Sequence, residues 1–113
     1  MTDCLFCRIV AGEIPATVVY ENDAILAFRD IRPKAPVHVL VIPKAHHADV
    51  AALARADEKL AGRLLAAVAE VATAEGVAQK GFRTIFNSGA DSGMEVPHAH
   101  AHVIGGRQLG GMA

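Results

Sequence analysis

Apolar positions along this chain change their period at Asp49. Before it they run in short stretches that suit strands. Thr17-Val18-Val19-Tyr20-Glu21 is β-branched and aromatic, Glu21-Asn22-Asp23 supplies turn residues, and Ala24-Ile25-Leu26-Ala27-Phe28 starts a return, which together predict a β-hairpin. Gly12-Glu13-Ile14-Pro15 reads as a turn ahead of it, and Asp30 to Pro36 as a loop stiffened by Pro33 and Pro36. Val37 to Ile42 is apolar at nearly every position, as expected of a strand covered on both faces, with His38 its only polar side chain. After Asp49 the pattern is helical. Asp49 can cap a short helix and Asp57 a longer one, in which Leu60, Leu64, Val68 and Val71 form one stripe that Gly76 ends. Phe82 to Asn87 returns to strand character, and the Gly-rich loop 88–93 leads into a last strand near the C-terminus. With no internal repeat or linker, the chain reads as one α+β domain with a mainly antiparallel sheet.

Composition narrows this further. The 113 residues are 52% hydrophobic but only 4% aromatic, with no Trp, so the core is built from Ala, Val, Leu and Ile. A formal charge of −1 with scattered Lys and Arg offers no basic face for a nucleic acid. No apolar stretch reaches the ~18 residues of a membrane span, and Met1 to Arg8 lacks the order of a signal peptide, which places the chain in the cytoplasm. There Cys4 and Cys7 are expected to be reduced.

The chemistry concentrates in His98-Ala99-His100-Ala101-His102. In a helix His100 would point roughly 160° away from the other two. On a strand all three project from one face, and Pro97 and Gly105-Gly106 bracket a strand of about six to eight residues. Crowded imidazoles resist being cationic together, so at least one stays neutral and can serve as nucleophile, base or metal ligand. Cys4-Leu5-Phe6-Cys7 has the spacing of half a zinc site, with a pair of reduced thiols or a redox pair as the alternatives.

The histidine row, with Val103-Ile104 and Gly105-Gly106-Arg107 after it, resembles the signature of the histidine-triad (HIT) superfamily, in particular its bacterial HINT-like branch. Leu5-Phe6, Gly12 to Ala16, Ala27 to Ile31, Pro33 to Pro36, His38, Val41 to Lys44, His46 and Asn87 extend the likeness over nearly the whole chain. The resemblance implies a HIT-like fold over residues 1–113, with a five-stranded sheet, one long helix and a short one. It implies a homodimer that cleaves purine nucleoside phosphoramidates or related esters of AMP or GMP type through a nucleotidyl-histidine, with no cofactor required for catalysis. His100 would attack phosphorus through Nε2, His102 would donate to a phosphate oxygen, and His98 and His38 would support the site. Asp30 would take ribose hydroxyls, Asn87 would face phosphate, and Ile14, Phe28, Ile31 and Leu40 would wall the base. Glu95 and Val96 complete the nucleotide-binding set, although a carboxylate at position 95, where animal members carry serine, repels phosphate unless it points away or is protonated. Pro97, Ala99 and Ala101 also depart from the family pattern, the two alanines leaving space behind the strand. In relatives with the cysteine pair, the histidines matching His46 and His98 complete a structural zinc site, and His47 is a neighbour that could substitute. A nucleotide-binding regulatory module, a dinucleoside polyphosphate hydrolase and a metallohydrolase using the triad are the competing readings.

Overall fold

The structure, a computed structural model, describes residues 3–112. In chain order its elements are α1 (Leu5–Val10), β1 (Val18–Glu21), β2 (Ile25–Arg29), β3 (Val37–Pro43), α2 (Val50–Ala56), α3 (Glu58–Ala74), β4 (Phe82–Phe86) and β5 (Ala101–Gly105), with one 3₁₀ turn at Ala90–Ser92. The five strands form one antiparallel sheet in the order β1-β2-β3-β5-β4. This is the predicted α+β sheet with a long and a short helix, plus a six-residue helix at the cysteines that the sequence reading did not anticipate.

Period-two alternation divides the sheet into two dissimilar faces. Ile25, Ala27, Val39, Val41, Ala101 and Val103 face α2 and α3, packing with Leu53, Leu64, Ala67, Val68 and Val71. Leu26, Phe28, Leu40 and Ile42 face the other way and are covered by Phe6, with Cys4, Ile9, Val10 and Val96 around them. The central strand β3 is buried from His38 onward, as its continuous apolar run requires. Ala99 and Ala101 are fully buried in the cluster with α3, so helix packing fills the space their small side chains leave.

Local chemistry sets the element ends. Asp49 accepts from the Ala52 N–H at 2.8 Å and Asp57 from the Leu60 N–H at 3.0 Å, capping α2 and α3 as predicted. At the end of α3, Gly76 adopts a φ of 77° and the Val77 N–H reaches back to the Ala72 carbonyl, closing a Schellman turn. Asn22 Oδ1 accepts from the N–H groups of Ala24 and Ile25 and so builds the hairpin turn.

The last strand is shorter than predicted. Ladder pairing begins at Ala101, and the two preceding histidines lie outside it. The backbone groups there are engaged elsewhere: the His98 N–H donates to the Val96 carbonyl and the Ala99 N–H to the His47 carbonyl. Alternation of side chains nevertheless continues through the segment, with Ala99 toward α3 and the flanking imidazoles toward Phe6.

Candidate active site

The face away from α3 carries a cleft of about 550 Å³. β3 contributes His38 and Leu40, β5 and the segment before it contribute His100, His102 and Ile104, and the loop after β2 contributes Asp30 and Ile31. Asn87, Glu95 and Val96 close the far side, and Leu5 and Phe6 of α1 form the floor near the histidines. Of the predicted nucleotide-binding residues, Ile14 and Phe28 are the two that do not line this cleft. Phe28 is buried beneath Phe6, their ring centroids 5.5 Å apart, and Ile14 sits in the turn after α1. Ile31 stands 92% exposed at the mouth. Glu95 is also exposed, which leaves its charge solvated.

Hydrogen bonds fix a proton position on each imidazole. A carbonyl can only accept, so His100, whose Nδ1 lies 2.6 Å from the His98 carbonyl, carries its proton on Nδ1 and leaves the Nε2 lone pair available. His38 is the opposite case. A backbone N–H can only donate, so the Lys34 N–H at 3.1 Å makes His38 Nδ1 an acceptor and puts the proton on Nε2. That Nε2–H donates to His102 Nδ1 at 2.9 Å, which leaves His102 with its proton on Nε2. The three rings thus form two unlike functions: a lone pair at His100 and a donor at His102, 5.0 Å apart between ring centroids.

Burial favours the neutral form of His102 and His38. It pushes His102 down to about 4, helped by the charges that His100 and His38 would carry and opposed by Asp30. Burial likewise lowers His38, against the raising effect of Asp30, whose Oδ2 is 3.5 Å from Nε2. Asp30 is itself held in place, its Oδ1 accepting from the Arg32 N–H at 2.7 Å.

His98 lines a second constellation instead of the cleft. Its Nε2–H donates to the Pro43 carbonyl at 2.8 Å, so Nδ1 is the unprotonated nitrogen, and burial lowers the ring despite that bond. Nδ1 lies 3.3 Å from Cys4 Sγ and 3.6 Å from Cys7 Sγ, and His46 Nδ1 lies 3.3 Å from Cys7 Sγ. All four donor atoms fall within 4.8 Å of one another. A tetrahedral zinc with ordinary bond lengths has sulfur-to-nitrogen edges of about 3.6 Å, so this donor set fits that ion. His47 is not a member of this cluster, and its carbonyl is the acceptor for the Ala99 N–H. Among the described residues, Asp30, His38 and His102 form the other cluster of ligand type. There the fit fails, because His38 Nε2 would have to lose its proton while Nδ1 still accepts from Lys34, which demands an imidazolate.

Arg107 and Phe6 are among the contributors that the predicted site set lacks. Arg107 donates to the Lys34 carbonyl at 2.9 Å, tying down the loop whose N–H sets the His38 tautomer. Phe6 packs edge-on against His100 with centroids 5.1 Å apart. For Arg107 no signal existed beyond its place after the two glycines, whereas Phe6 was visible as an aromatic between two cysteines.

A family model of the HIT domain matches residues 11–109. The purine nucleoside phosphoramidase of Escherichia coli (strain K12) is 41% identical over 110 residues, spanning 97% of this chain and 92% of that protein. Protein HitA of Neisseria gonorrhoeae is 44% identical over 105 residues, 93% of this chain and 97% of that protein. Among solved structures, a HIT family hydrolase from Clostridium thermocellum has a TM-score of 0.93 at 39% identity, covering 99% of this chain and 97% of that one.

Proposed function

The chain belongs to the HIT domain family, and on that premise we propose that it is a hydrolase of purine nucleoside 5′-phosphoramidates acting through a nucleotidyl-histidine at His100. The observation that carries this reading is the pinned Nδ1–H: its bond to the His98 carbonyl leaves Nε2 as the nitrogen available for attack at the cleft. The name of the Escherichia coli relative supports the substrate class.

In the first step His100 Nε2 forms a bond to the α-phosphorus while the bond from phosphorus to the leaving amine breaks, and the departing nitrogen takes up a proton from solvent. The resulting ring is cationic, and the His98 carbonyl stabilises its Nδ1–H. His102 donates its Nε2–H to a non-bridging oxygen, a role that the His38 bond prepares by blocking the other tautomer. Asp30 accepts from the ribose hydroxyls, with Ile31, Leu40 and Val96 against the base. Water then attacks phosphorus, the bond to Nε2 breaks, and the proton that water gives up restores the balance, releasing the monophosphate and a neutral imidazole. Cys4, Cys7, His46 and His98 would hold a zinc ion whose contribution is structural, since four protein ligands leave no position for water. A homodimer in the cytoplasm belongs to the same proposal; among the described residues no helix is long and apolar enough to cross a membrane.

Intact-protein mass spectrometry after brief mixing with an adenosine phosphoramidate tests it. An adenylate adduct mapped to His100 is expected, and His100→Ala should lose the adduct and on the order of 10⁴-fold or more in turnover. Cleavage that survives His100→Ala would end the proposal.

A further inference from the structure

Helix α1 opens with Cys4 as its N-cap and holds Cys7 one turn on, and between them Phe6 turns inward, 4% exposed. That ring touches both histidines in edge geometry: centroids are 5.1 Å from His100 at 88° and 5.9 Å from His98 at 70°. Its other side rests on Phe28 at 5.5 Å. His98 is tied to His100 a second time, through the carbonyl that accepts from Nδ1 at 2.6 Å. One residue therefore gives its ring to the donor set with the two cysteines and its backbone oxygen to the nucleophile.

We propose that Phe6 is a positioning residue for His100, and that a metal held by Cys4, Cys7, His46 and His98 fixes the nucleophile by locking both supports of its ring. The argument rests on the reading of His100 as the nucleophile. Metal bonds to Cys4 and Cys7 hold the start of α1, and with it Phe6, against one face of the imidazole. The bond to His98 Nδ1, opposed by the Pro43 carbonyl on Nε2, holds the residue whose carbonyl orients Nδ1–H. Two constraints, both anchored at the same donor set, then aim Nε2 at the cleft. Loosening either one misplaces the attacking atom without removing it, and a displacement of about 1 Å costs on the order of 10²-fold in rate.

Phe6 also lines the cleft, so a wall role and a positioning role must be separated. The variants are Phe6→Leu and Cys7→Ser in the full chain. The readouts are zinc content, circular dichroism, the rate of adduct formation at saturating adenosine phosphoramidate, KM, and the histidine long-range proton–nitrogen NMR spectrum, which reports tautomers without turnover. With folded protein and unchanged zinc, Phe6→Leu should slow adduct formation by about 10- to 100-fold at saturation. Cys7→Ser, and wild type stripped by chelator, should lose the single Nδ1–H tautomer of His100, and Zn²⁺ or Co²⁺ added back to the stripped protein should restore it. A rise in KM alone for Phe6→Leu overturns the positioning role. A stripped, folded protein that keeps the His100 tautomer and the adduct rate overturns the metal's part, as does wild type that binds no zinc. If wild type forms no adduct, the reading of the enzyme falls, and the NMR comparison still decides whether the metal orders His100.

Discussion

Acid should weaken this fold through its buried imidazoles, and His102 sets the size of the effect. Its value in the fold is about 4, against 6.5 for an ordinary histidine. The folded value is the lower one, so within that window the unfolded chain carries a proton that the native chain does not. Above 6.5 both states are neutral and nothing is lost. As pH falls through the window, stability declines by at most about 1.4 kcal/mol per pH unit. Between about pH 7 and about pH 5 the unscreened shift would contribute about 2 kcal/mol. His102 is partly exposed, and solvent screening brings the expectation nearer to about 1 kcal/mol. Urea unfolding of wild type and His102→Gln at both pH values measures it. His38 and His98, also lowered by burial, remain in both proteins, and the Gln amide oxygen can still accept from His38 Nε2–H, so the difference between the two losses reports His102 together with its coupling to His38. Wild type should lose about 1 kcal/mol more than the variant over that interval. Equal losses would refute the reasoning, because His102 would then take a proton as readily in the fold as out of it.

Gly106 has a φ of 95°, and a Cβ there would lie 2.9 Å from the Pro36 Cβ. Gly106→Ala should therefore cost about 1–3 kcal/mol in thermal unfolding, and an unchanged melting temperature would contradict the close approach. Asp57→Ala removes the α3 cap and should cost about 1 kcal/mol by urea unfolding, with Asp57→Ser restoring most of it. Light scattering at micromolar concentration should give twice the chain mass, and a monomer would remove the homodimer from the proposed function.

Much of the fold was legible because its signals were local and mutually consistent. Asp49, Asp57 and Gly76 mark helix ends by chemistry contained within a few residues, and the structure uses each as read. The face shared by His100 and His102 followed from period two, whereas His38 and Leu40 were placed at the same cleft by resemblance, and the structure puts all four there. Helix α1 was not legible. Its six residues show no amphipathic repeat, and its N-cap is a cysteine sulfur that accepts from the Cys7 N–H at 3.4 Å, where the usual signal is an oxygen side chain. Ile14 was assigned to the base wall by resemblance, and nothing local could show that the turn after α1 carries it away from the cleft.

The stretch from His98 to His100 is where the strand rule fails, and the failure has a chemical cause. A strand would commit the backbone groups of these residues to ladder bonds. Here the His98 carbonyl faces His100 Nδ1, its N–H faces Val96, and the Ala99 N–H faces His47. Leaving the ladder lets one carbonyl choose the tautomer of the nucleophile, which no inter-strand bond could do from the same position. Side-chain alternation persists because the alanines still pack on α3 while Phe6 holds the imidazoles on the other face. The sequence pattern thus places three rings on one side of the sheet, and departure from the sheet makes them unequal. A substitution that extended β5 back to His98 would keep every imidazole and still free His100 Nδ1, so the site depends on that irregular backbone as much as on the triad.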